Sequence, residues 1–506
     1  MTVLSAEIAE NKATTAGTNC DDGGDISPVS EFSPDSSTDS RSNFANMLSN
    51  MRSDATIAKV DDFRAVMYNT QAIRRKIVAA ILNDDGCGDS LNWEWVDVLR
   101  HTYELLTDSK TNAFQREMLS ACDEKFLLNV KDEIVGLQKD LIFLDHLRSI
   151  KDSMTEKTSL KKLVWRVDFL KIVESYHPIS AETFHEEYEK CIRFLQYFID
   201  SIKTEGRKPI MITDWDGTMK DYCSQYATNL QPIYSAINMA QFAQTFTRLT
   251  AVLTAGPLRG PGILDLTALP IDGPVMFSGS WGREWWLGGK RVVHDDGISE
   301  AGIDALERLN DEMKTLLQLR EYAQFGMVGS GVQRKVDRIT LGIQTVCKHV
   351  SPDLSKSYQE EVLERVHRVD PCMQILHFDP STDLEVEVVV KNNDVVWNKS
   401  HGVERVVHTV GDTLAPPGRI LICGDTSSDL PMVQHAVDAN KNGAMALFVG
   451  LNEGLRAKVQ EMIPDERRTA FVSCPDVIHA AMMKILRDHF LASEEKNSTE
   501  INENKE

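Results

Sequence analysis

Between about residues 56 and 203, hydrophobic side chains recur every three or four positions, and Pro and Gly are almost absent. Such spacing lines the hydrophobic side chains along one face of successive helices. Two series stand out: Val60, Phe63, Met67, Ile73, Ile77 and Ile81, then Met118, Cys122, Phe126, Val130, Leu137, Leu141 and Leu144. Further helices are predicted at about 158–175 and 180–203, the last with Ser180 as its N-cap. The pattern therefore predicts an all-α helical bundle over 56–203.

After residue 204 the pattern changes to short hydrophobic runs separated by polar, helix-compatible segments. The runs are PIMIT at 209–213, LTAVLT at 249–254, PVMFS at 274–278 and RILICG at 419–424. This alternation is typical of βα units that build a largely parallel sheet. In such sheets reactive side chains lie at the carboxyl ends of the strands.

The two ends of the chain contain few large hydrophobic side chains. Residues 1–55 include the stretch DISPVSEFSPDSSTDSRSN, and the chain closes with ASEEKNSTEINENKE. Segments of this composition bury too little hydrophobic surface to offset the entropy of ordering. We therefore expect a disordered N-terminal segment over 1–55 and a disordered acidic tail over 491–506.

Composition and charge disfavour several classes of protein. The chain has 506 residues and a formal net charge of -21, which disfavours sequence-independent binding to nucleic acids or anionic membranes. Its nine cysteines form no CxxC pair, which indicates reduced thiols and a cytoplasmic protein. No run approaches roughly 18 consecutive apolar residues, so no membrane span is expected, and no secretion signal is recognisable.

Polar side chains with complementary chemistry follow the hydrophobic runs or begin a helix. They are Asp214 and Asp216 after PIMIT, Thr254 after LTAVL, Lys399 at a predicted helix start, and Asp425 and Asp429 after RILICG. Two carboxylates one residue apart repel each other unless a positive group or a proton transfer involves them. Each residue alone is more often a solvated side chain, but their joint placement favours a site.

This set of residues is suited to phosphoryl transfer. One carboxylate can attack phosphorus, while a second protonates the leaving alcohol and later activates water. A hard cation bound by Asp214 and Asp425 would offset the repulsion between the nucleophile and the phosphate. Lys399 and Thr254 would balance the remaining charge on the transferring oxygens.

In this order, DWDGT, Thr254, Lys399 and GDTSSD resemble the four motifs of the haloacid dehalogenase superfamily of phosphotransferases. The resemblance implies an α/β fold. A Rossmann-like haloacid dehalogenase core would comprise 204–283 and 396–490, with an α/β cap inserted at 284–395. The all-α helical bundle would precede this core.

Residues 205–490 are similar, more narrowly, to trehalose-6-phosphate phosphatases of the nematode type. The segments SGSWGRE, GSGVQRK and EVEVVVKNNDVVWNKSHG resemble motifs of that family and carry Glu284, Lys335 and Glu387. The resemblance implies that these three side chains bind the hydroxyl groups of the sugar, which carboxylates and ammonium groups recognise by directed hydrogen bonds.

The same resemblance implies a Mg²⁺-dependent phosphatase that hydrolyses trehalose 6-phosphate through an aspartyl-phosphate. Asp214 would be the nucleophile and Asp216 the general acid and base. Asp214, Asp425 and the main-chain carbonyl of Asp216 would hold Mg²⁺. Asp429 would orient the waters of the metal or Lys399. A sugar phosphate is the expected partner, and a protein partner of the helical bundle is left open.

Other interpretations remain open at this stage. Trp281 stands where the family has a histidine, so another sugar-phosphate phosphatase of the same superfamily is an alternative, as is a scaffold protein with an inert phosphatase fold. The substrate-binding residues also have a purely structural interpretation. In it, Arg334, Lys335 and Arg338 form one solvated face, and Glu385 and Glu387 lie on the outer face of a strand.

Overall fold

The computed structural model describes residues 57, 59–84, 91–107, 114–120, 122–123, 125–154, 158–345, 350–380, 382–391 and 397–503. The segment 1–55, predicted to be disordered, lies outside the described residues. Beyond residue 493 the description covers the backbone alone.

The first part of the chain is mainly helical, as its hydrophobic periodicity predicts. The helices are α1 Val60–Leu82, α2 Glu94–Leu106, α3 Lys131–Ser153, α4 Leu160–Leu163, α5 Phe169–Val173, α6 Ala181–Ile199 and α7 Ser201–Glu205. The Ser180 hydroxyl accepts a hydrogen bond from the Thr183 N–H, which confirms the predicted cap of α6. Phe63, Ile77 and Ile81 of α1 are completely buried, so the hydrophobic face of this helix is its packing face.

The predicted long helix that begins near Met118 is wrong over its first part. An antiparallel hairpin stands there, formed by β1 Gln115–Leu119 and β2 Lys125–Asn129, and α3 begins only at Lys131. Hydrophobic residues four positions apart share a face in a helix, but they also share a face in a strand, whose period is two. The spacing of 118, 122, 126 and 130 therefore fits both structures, and the pairing of the two strands decides between them.

The core is an eight-stranded sheet. Its strands are β3 Ile210–Thr213, β4 Leu249–Leu253, β5 Met276–Gly279, β6 Glu284–Leu287, β7 Lys290–Val293, β12 Ile420–Gly424, β13 Ala444–Val449 and β14 Thr469–Val472. The order is β14-β13-β12-β3-β4-β5-β6-β7, parallel as far as β5 and antiparallel for the last two strands. All four hydrophobic runs chosen from the sequence are strands of this sheet, which confirms that part of the prediction.

Helices connect and cover these strands. They are α8 Ile233–Phe246, α9 Ile263–Leu266, α12 Lys399–Thr409, α13 Leu430–Ala439, α14 Glu453–Met462 and α15 Pro475–Glu503. Every residue of β3, β4, β12 and β13 is buried, as expected for parallel strands covered on both faces. Within the described residues, none of the helices combines the length and hydrophobicity needed to cross a bilayer.

The cap is a four-stranded antiparallel sheet with two helices. It contains α10 Glu300–Leu316, β8 Val332–Arg334, β9 Arg338–Gly342, α11 Pro352–Val369, β10 Leu376–Asp379 and β11 Glu385–Val390. The sheet order is β10-β11-β9-β8. The predicted start of the cap at residue 284 is wrong, because β6 and β7 pair with β5 and extend the core sheet. Glu284 therefore belongs to the core.

The C-terminal end also differs from its prediction. The segment 491–506 is predicted to be disordered, but the backbone of α15 remains helical to Glu503, and residues 504–506 lie outside the described residues. The buried residues Val477, Ile478 and Leu486 anchor the start of this helix. The following residues contain neither Pro nor Gly, and adding each further turn to an existing helix costs far less than nucleating a new one.

Candidate active site

The candidate residues meet at the carboxyl edge of the central strands. Because β12, β3 and β4 are parallel neighbours, Asp214, Thr254 and Asp425, which directly follow them, lie at the same edge of the sheet. The Asp214 N–H donates to the Cys423 carbonyl at 2.9 Å, so the pairing of the two central strands continues into the site. Lys399 begins α12, as predicted from the sequence.

Lys399 is the positive centre of this cluster. Its ammonium lies 2.8 Å from Asp214 Oδ1 and 2.6 Å from Asp429 Oδ1, and its side chain is 2% exposed. Burial alone would lower the pKa of Lys399, but the ion pairs with Asp214 and Asp429 raise it above its ordinary value. The lysine is therefore charged at neutral pH.

A tight turn brings Asp425 beside the first aspartate pair. Gly217 has a left-handed φ of 80°, and a Cβ added to it would stand 2.3 Å from Asp425 Oδ2. Only glycine fits at this position. The Tyr222 hydroxyl donates to the same Oδ2 at 2.8 Å. Asp425 Oδ1, by contrast, is buried and has no hydrogen-bond partner among the described residues.

Asp214, Asp425 and Asp429 each offer an oxygen within 4.8 Å of the others. Burial, with added repulsion from Asp429, raises the pKa of Asp214 to about 6 although Lys399 opposes this. Burial and repulsion from Asp214 raise the pKa of Asp425 to about 9. Asp214 and Asp429 are buried and Asp425 is half-buried, so one lysine faces three carboxyl groups, and the free Asp425 Oδ1 adds an unused ligand atom. The residues present therefore fit a hard divalent cation.

Asp429 differs from the other two carboxylates, since both of its oxygens already have protein partners. Oδ1 pairs with Lys399, while Oδ2 accepts the backbone N–H groups of Asp425 and Thr426 at 3.1 and 3.0 Å. Asp429 is completely buried. It thus holds both the lysine and the loop that carries Asp425.

Asp216, the second aspartate of the pair after β3, is held by separate partners. Asp216 Oδ1 accepts hydrogen bonds from Lys220 Nζ at 2.6 Å and from Asn229 Nδ2 at 2.8 Å. Trp215 between the two aspartates is 1% exposed. Thr254 is also buried, and its hydroxyl accepts the Gly256 N–H at 3.1 Å.

The predicted sugar-binding glutamate of the core is tightly held. Glu284 Oε1 accepts from the Leu258 N–H at 2.9 Å and from the Ser280 hydroxyl at 2.7 Å. Its Oε2 pairs with Arg291 at 2.7 Å. The side chain is 2% exposed, so it fixes the loop after β4 to the turn after β5.

The two predicted sugar-binding residues of the cap lie together. Lys335 Nζ is 3.7 Å from Glu387 Oε1, and Glu387 also accepts from Arg338 and Thr340 at 2.8 and 2.9 Å. Burial lowers the pKa of Lys335, although Glu387 partly opposes it. Lys335, Arg338 and Glu387 are all at most 8% exposed, so the alternative of a solvated face is wrong for them.

This cap cluster faces the core. The Arg338 guanidinium lies over the Trp281 ring at 4.3 Å, and the core residue Arg283 pairs with Asp337 at 3.2 Å. The Ser280 hydroxyl accepts the N–H of Val336 at 3.2 Å. The predicted substrate residues of the cap are thereby brought to the same interface as the turn that follows β5.

Family models match both halves of the chain. One, described as "Trehalose-6-phosphate phosphatase, C-terminal", covers residues 211–478, and another, described as the N-terminal helical bundle domain of trehalose-6-phosphate phosphatase, covers 59–162. A trehalose-phosphatase of Brugia malayi is 59% identical over 86% of this chain and 87% of its own length. This chain belongs to the trehalose-6-phosphate phosphatase family.

A second trehalose-phosphatase, from Caenorhabditis elegans, is 46% identical over 86% of this chain and 98% of its own length. Among solved structures, that of a trehalose-6-phosphate phosphatase related protein covers 56% of this chain and 99% of its own, at 15% identity and a TM-score of 0.37. The parallel α/β core with its inserted α/β cap, together with the match of the first part of the chain to the helical bundle model, confirms the expected fold class. The protein is a phosphatase.

Three further residues of this trehalose-6-phosphate phosphatase family member contact the site and are not among the predicted ones: Lys220, Tyr222 and Asn229. All three lie in the segment directly after Asp216, and each donates to Asp216 or Asp425. The sequence offers only a weak signal for them: Lys220 and Tyr222 stand close after the acidic pair, in TMKDYC.

Proposed function

We propose that this phosphatase hydrolyses trehalose 6-phosphate to trehalose and phosphate with the help of Mg²⁺. One observation carries the proposal: Asp214, Lys399 and Asp425 meet at one edge of the sheet in a chain closely similar to trehalose-phosphatases. Such a group of carboxylates around a buried lysine suits phosphoryl transfer to a carboxylate.

In the first half of the reaction, an Asp214 carboxylate oxygen attacks phosphorus. The bond between phosphorus and the sugar 6-oxygen breaks, and Asp216 gives its proton to that oxygen, so trehalose leaves as a neutral alcohol. Asp214 then carries the phosphoryl group as an acyl phosphate. Lys399, held by Asp429, and the hydroxyl of Thr254 stabilise charge on the phosphoryl oxygens.

In the second half, a water molecule attacks the same phosphorus atom. Asp216, now a carboxylate, takes a proton from this water while the bond between phosphorus and Asp214 breaks. Inorganic phosphate leaves, Asp214 is restored as a carboxylate, and Asp216 is again protonated for the next turnover.

Asp214, Asp425 and the main-chain carbonyl of Asp216 would hold Mg²⁺, and Asp429 would orient its surroundings. A bound divalent cation supplies neutralisation of the negative charge shared by nucleophile and phosphate. Oxygen-only ligands favour a hard cation such as Mg²⁺ over softer metals.

Sugar recognition is proposed for Glu284, Lys335 and Glu387. The partners of Lys335 and Glu387 support this role because buried, oriented charged groups can bind polyol hydroxyls without first losing hydration. Glu284 would act from the core side. Its two oxygens already accept protein hydrogen bonds, so its contribution would include fixing the loop around the substrate.

A phosphate-release assay tests the proposal. The purified protein with trehalose 6-phosphate and Mg²⁺ is expected to release phosphate, while Asp214→Asn or a chelator should abolish turnover. Asn keeps the shape of Asp214 but cannot form the acyl phosphate. Steady turnover by the Asp214→Asn protein would reject the mechanism.

The same assay distinguishes the two alternatives, a phosphatase for another sugar phosphate and a scaffold protein without activity. A panel of sugar phosphates compared by kcat/KM would show a better substrate if the enzyme were a different sugar phosphatase. Absence of turnover on every member with Mg²⁺ present would favour an inert scaffold.

We also propose a cytoplasmic location. It is supported by the free thiols of Cys122, Cys191, Cys223, Cys372, Cys423 and Cys474. A reducing compartment keeps such cysteines unpaired.

A further inference from the structure

Helix α3 of the bundle turns a charged face toward the core. Asp132, Glu133, Lys139 and Asp140 lie on this face, and all but Asp132 are at most 5% exposed. Buried charged groups need specific partners because their desolvation is costly. The partners lie mainly in one segment of the core, residues 220–235, which directly follows the catalytic motif.

One side of this segment contacts α3. Asp132 Oδ2 accepts the Ser224 N–H at 3.1 Å, and Lys139 Nζ lies 3.5 Å from Asp221 Oδ2. Glu133 Oε1 accepts the Thr228 hydroxyl at 2.6 Å and the Cys223 thiol at 3.3 Å. A set of direct polar contacts thus joins the bundle helix to this part of the core.

The other side of the same segment contacts the proposed catalytic carboxylates. Lys220 and Asn229 both donate to Asp216 Oδ1, and the Tyr222 hydroxyl donates to Asp425 Oδ2. Side chains of adjacent residues in an extended segment point in opposite directions. Thus Lys220 and Tyr222 face the site while Asp221 and Cys223 face α3. At the far end, Thr228, the last residue of a 3-10 helix, contacts α3, and the next residue, Asn229, contacts Asp216.

The consequence for Asp216 is a fixed orientation. Both donors bind Oδ1, and no described residue donates to Oδ2. A carboxyl group held by one oxygen presents the other, and an acid must keep its proton within hydrogen-bonding distance of the leaving oxygen. Displacing the segment by a fraction of an ångström would move this oxygen.

We propose that bundle helix α3 is a positioning element of the active site: by holding residues 221–228, it keeps Asn229 and Lys220 on Asp216 and Tyr222 on Asp425. This inference rests on the proposed function, in which Asp216 protonates the leaving oxygen. It assigns the helical bundle a role in the reaction, and Glu133 is its central contact.

Three variants of the full chain test this role. Glu133→Ala removes both contacts of Glu133 with the segment, and Glu133→Gln retains an oxygen that can accept from Thr228. Asn229→Ala removes the hydrogen bond to Asp216 directly. Arg75→Met is the matched control, because Arg75 also joins the bundle to the core but binds the carbonyls of Leu264, Asp265 and Thr267.

The informative readout is leaving-group dependence. Trehalose 6-phosphate expels an alkoxide that needs a proton, whereas 4-nitrophenyl phosphate expels a stable phenolate that needs little acid catalysis. We expect Glu133→Ala and Asn229→Ala to lower kcat/KM for trehalose 6-phosphate by about 10- to 100-fold, and for the aryl ester by no more than about threefold. Glu133→Gln should restore most of the loss, and Arg75→Met should leave the ratio of the two substrates unchanged.

A double-mutant cycle provides the second measurement. If Glu133 acts through Asn229, the loss in the double variant will be smaller than the product of the two single losses. Thr228→Val replaces Glu133→Ala in both measurements if the latter fails to fold. Equal losses for both substrates, multiplicative losses in the cycle, or a lowered Tm with unchanged kinetics would each overturn the inference. Failure of the proposed function is distinct, since the wild-type protein would then not hydrolyse trehalose 6-phosphate.

Discussion

Gly282 and Gly402 are in direct backbone contact: a Cβ added to Gly282 would stand 2.2 Å from the Cα of Gly402. Gly282 ends the turn after β5, and Gly402 lies one turn into α12, the helix that begins at Lys399. Gly282 also has a left-handed φ of 86°. This contact sets how closely α12 approaches the core, and thereby the position of the Lys399 ammonium.

The first prediction concerns Gly402→Ala. The new Cβ would lie 2.9 Å from both the Gly282 Cα and the Trp281 carbonyl oxygen, so α12 must move outward. We expect a destabilisation of about 1–3 kcal/mol from overpacking. Because Lys399 moves with the helix, kcat/KM should fall by roughly 10- to 100-fold. Urea unfolding and steady-state kinetics measure the two effects.

Gly454→Ala is the matched control for this change. It lies in α14, where the nearest atom to an added Cβ is Asn452 Oδ1 at 3.3 Å. Alanine is favoured over glycine in a helix by about 0.5–1 kcal/mol, so this variant should be neutral or slightly more stable. Full activity in the Gly402→Ala protein would contradict the proposed link between helix approach and lysine position.

Local signals in the sequence predicted the central part of this site. The strands before Asp214, Thr254 and Asp425 are continuous hydrophobic runs, and parallel strands bring their carboxyl ends together whatever the connections between them. Lys399 was recognisable for a similar reason, since it directly follows a helix N-cap, Asn398. The fold class and the cluster of Asp214, Thr254, Lys399 and Asp425 can thus be predicted from short-range patterns in the sequence.

Contacts over long sequence distances were not predictable in this way. The hairpin that ends at Asn129 was hidden because its hydrophobic spacing also fits a helix. Glu284 was assigned to the cap because nothing in its own neighbourhood reveals that β6 pairs with β5. Tyr222 and Asn229 reach the carboxylates only through the turn at Gly217 and the packing of α3. Each of these features is decided by tertiary structure.

The second prediction concerns the charge of Lys399. Lys399→Met keeps much of the side-chain volume but leaves Asp214 and Asp429 buried without their cation. Removing one partner of a buried ion pair costs about 3–5 kcal/mol, so we expect a loss of this order in urea unfolding without divalent cations. Phosphate release should be abolished.

An exposed ion pair provides the comparison. Lys484 and Asp488 on α15 are 2.6 Å apart but 39% and 57% exposed. Solvent screens such pairs, so Lys484→Met should change the stability by less than about 1 kcal/mol and leave turnover intact. A similar loss of stability in Lys399→Met and Lys484→Met would show that burial does not make the Lys399 ion pairs more stabilising than an exposed pair.

The third prediction concerns metal binding and pH. Burial and the charge of Asp214 raise the pKa of Asp425 to about 9 in the metal-free protein, so a cation must displace a proton to bind at neutral pH. The apparent affinity for Mg²⁺ should therefore rise between pH 6 and pH 8.5. Calorimetric titrations in two buffers of different ionisation enthalpy should detect proton release.

Asp425→Asn is the control for that measurement. It should weaken Mg²⁺ binding and remove most of the pH dependence, because the titrating ligand is lost. An affinity for Mg²⁺ that is the same at pH 6 and pH 8.5 in the wild-type protein would contradict the assignment of Asp425 as a metal ligand.

The fourth prediction concerns stability and the bundle residue Glu133. Burial raises the pKa of this carboxyl group from 4.5 to about 7, although the Thr228 hydroxyl opposes the shift. The folded protein therefore binds a proton that the unfolded chain releases between these two values. By linkage, the contribution of Glu133 to the free energy of unfolding is fully present below about pH 4.5 and is lost as the pH rises through about 7.

Glu133→Gln cannot titrate and should lack this dependence. The free energy of unfolding of the wild type should thus fall relative to that of Glu133→Gln by about 3 kcal/mol between pH 4.5 and pH 7.5, then stay level. Urea unfolding of both proteins across this range measures the difference, and parallel pH profiles would contradict a pKa of Glu133 that is higher in the folded than in the unfolded protein.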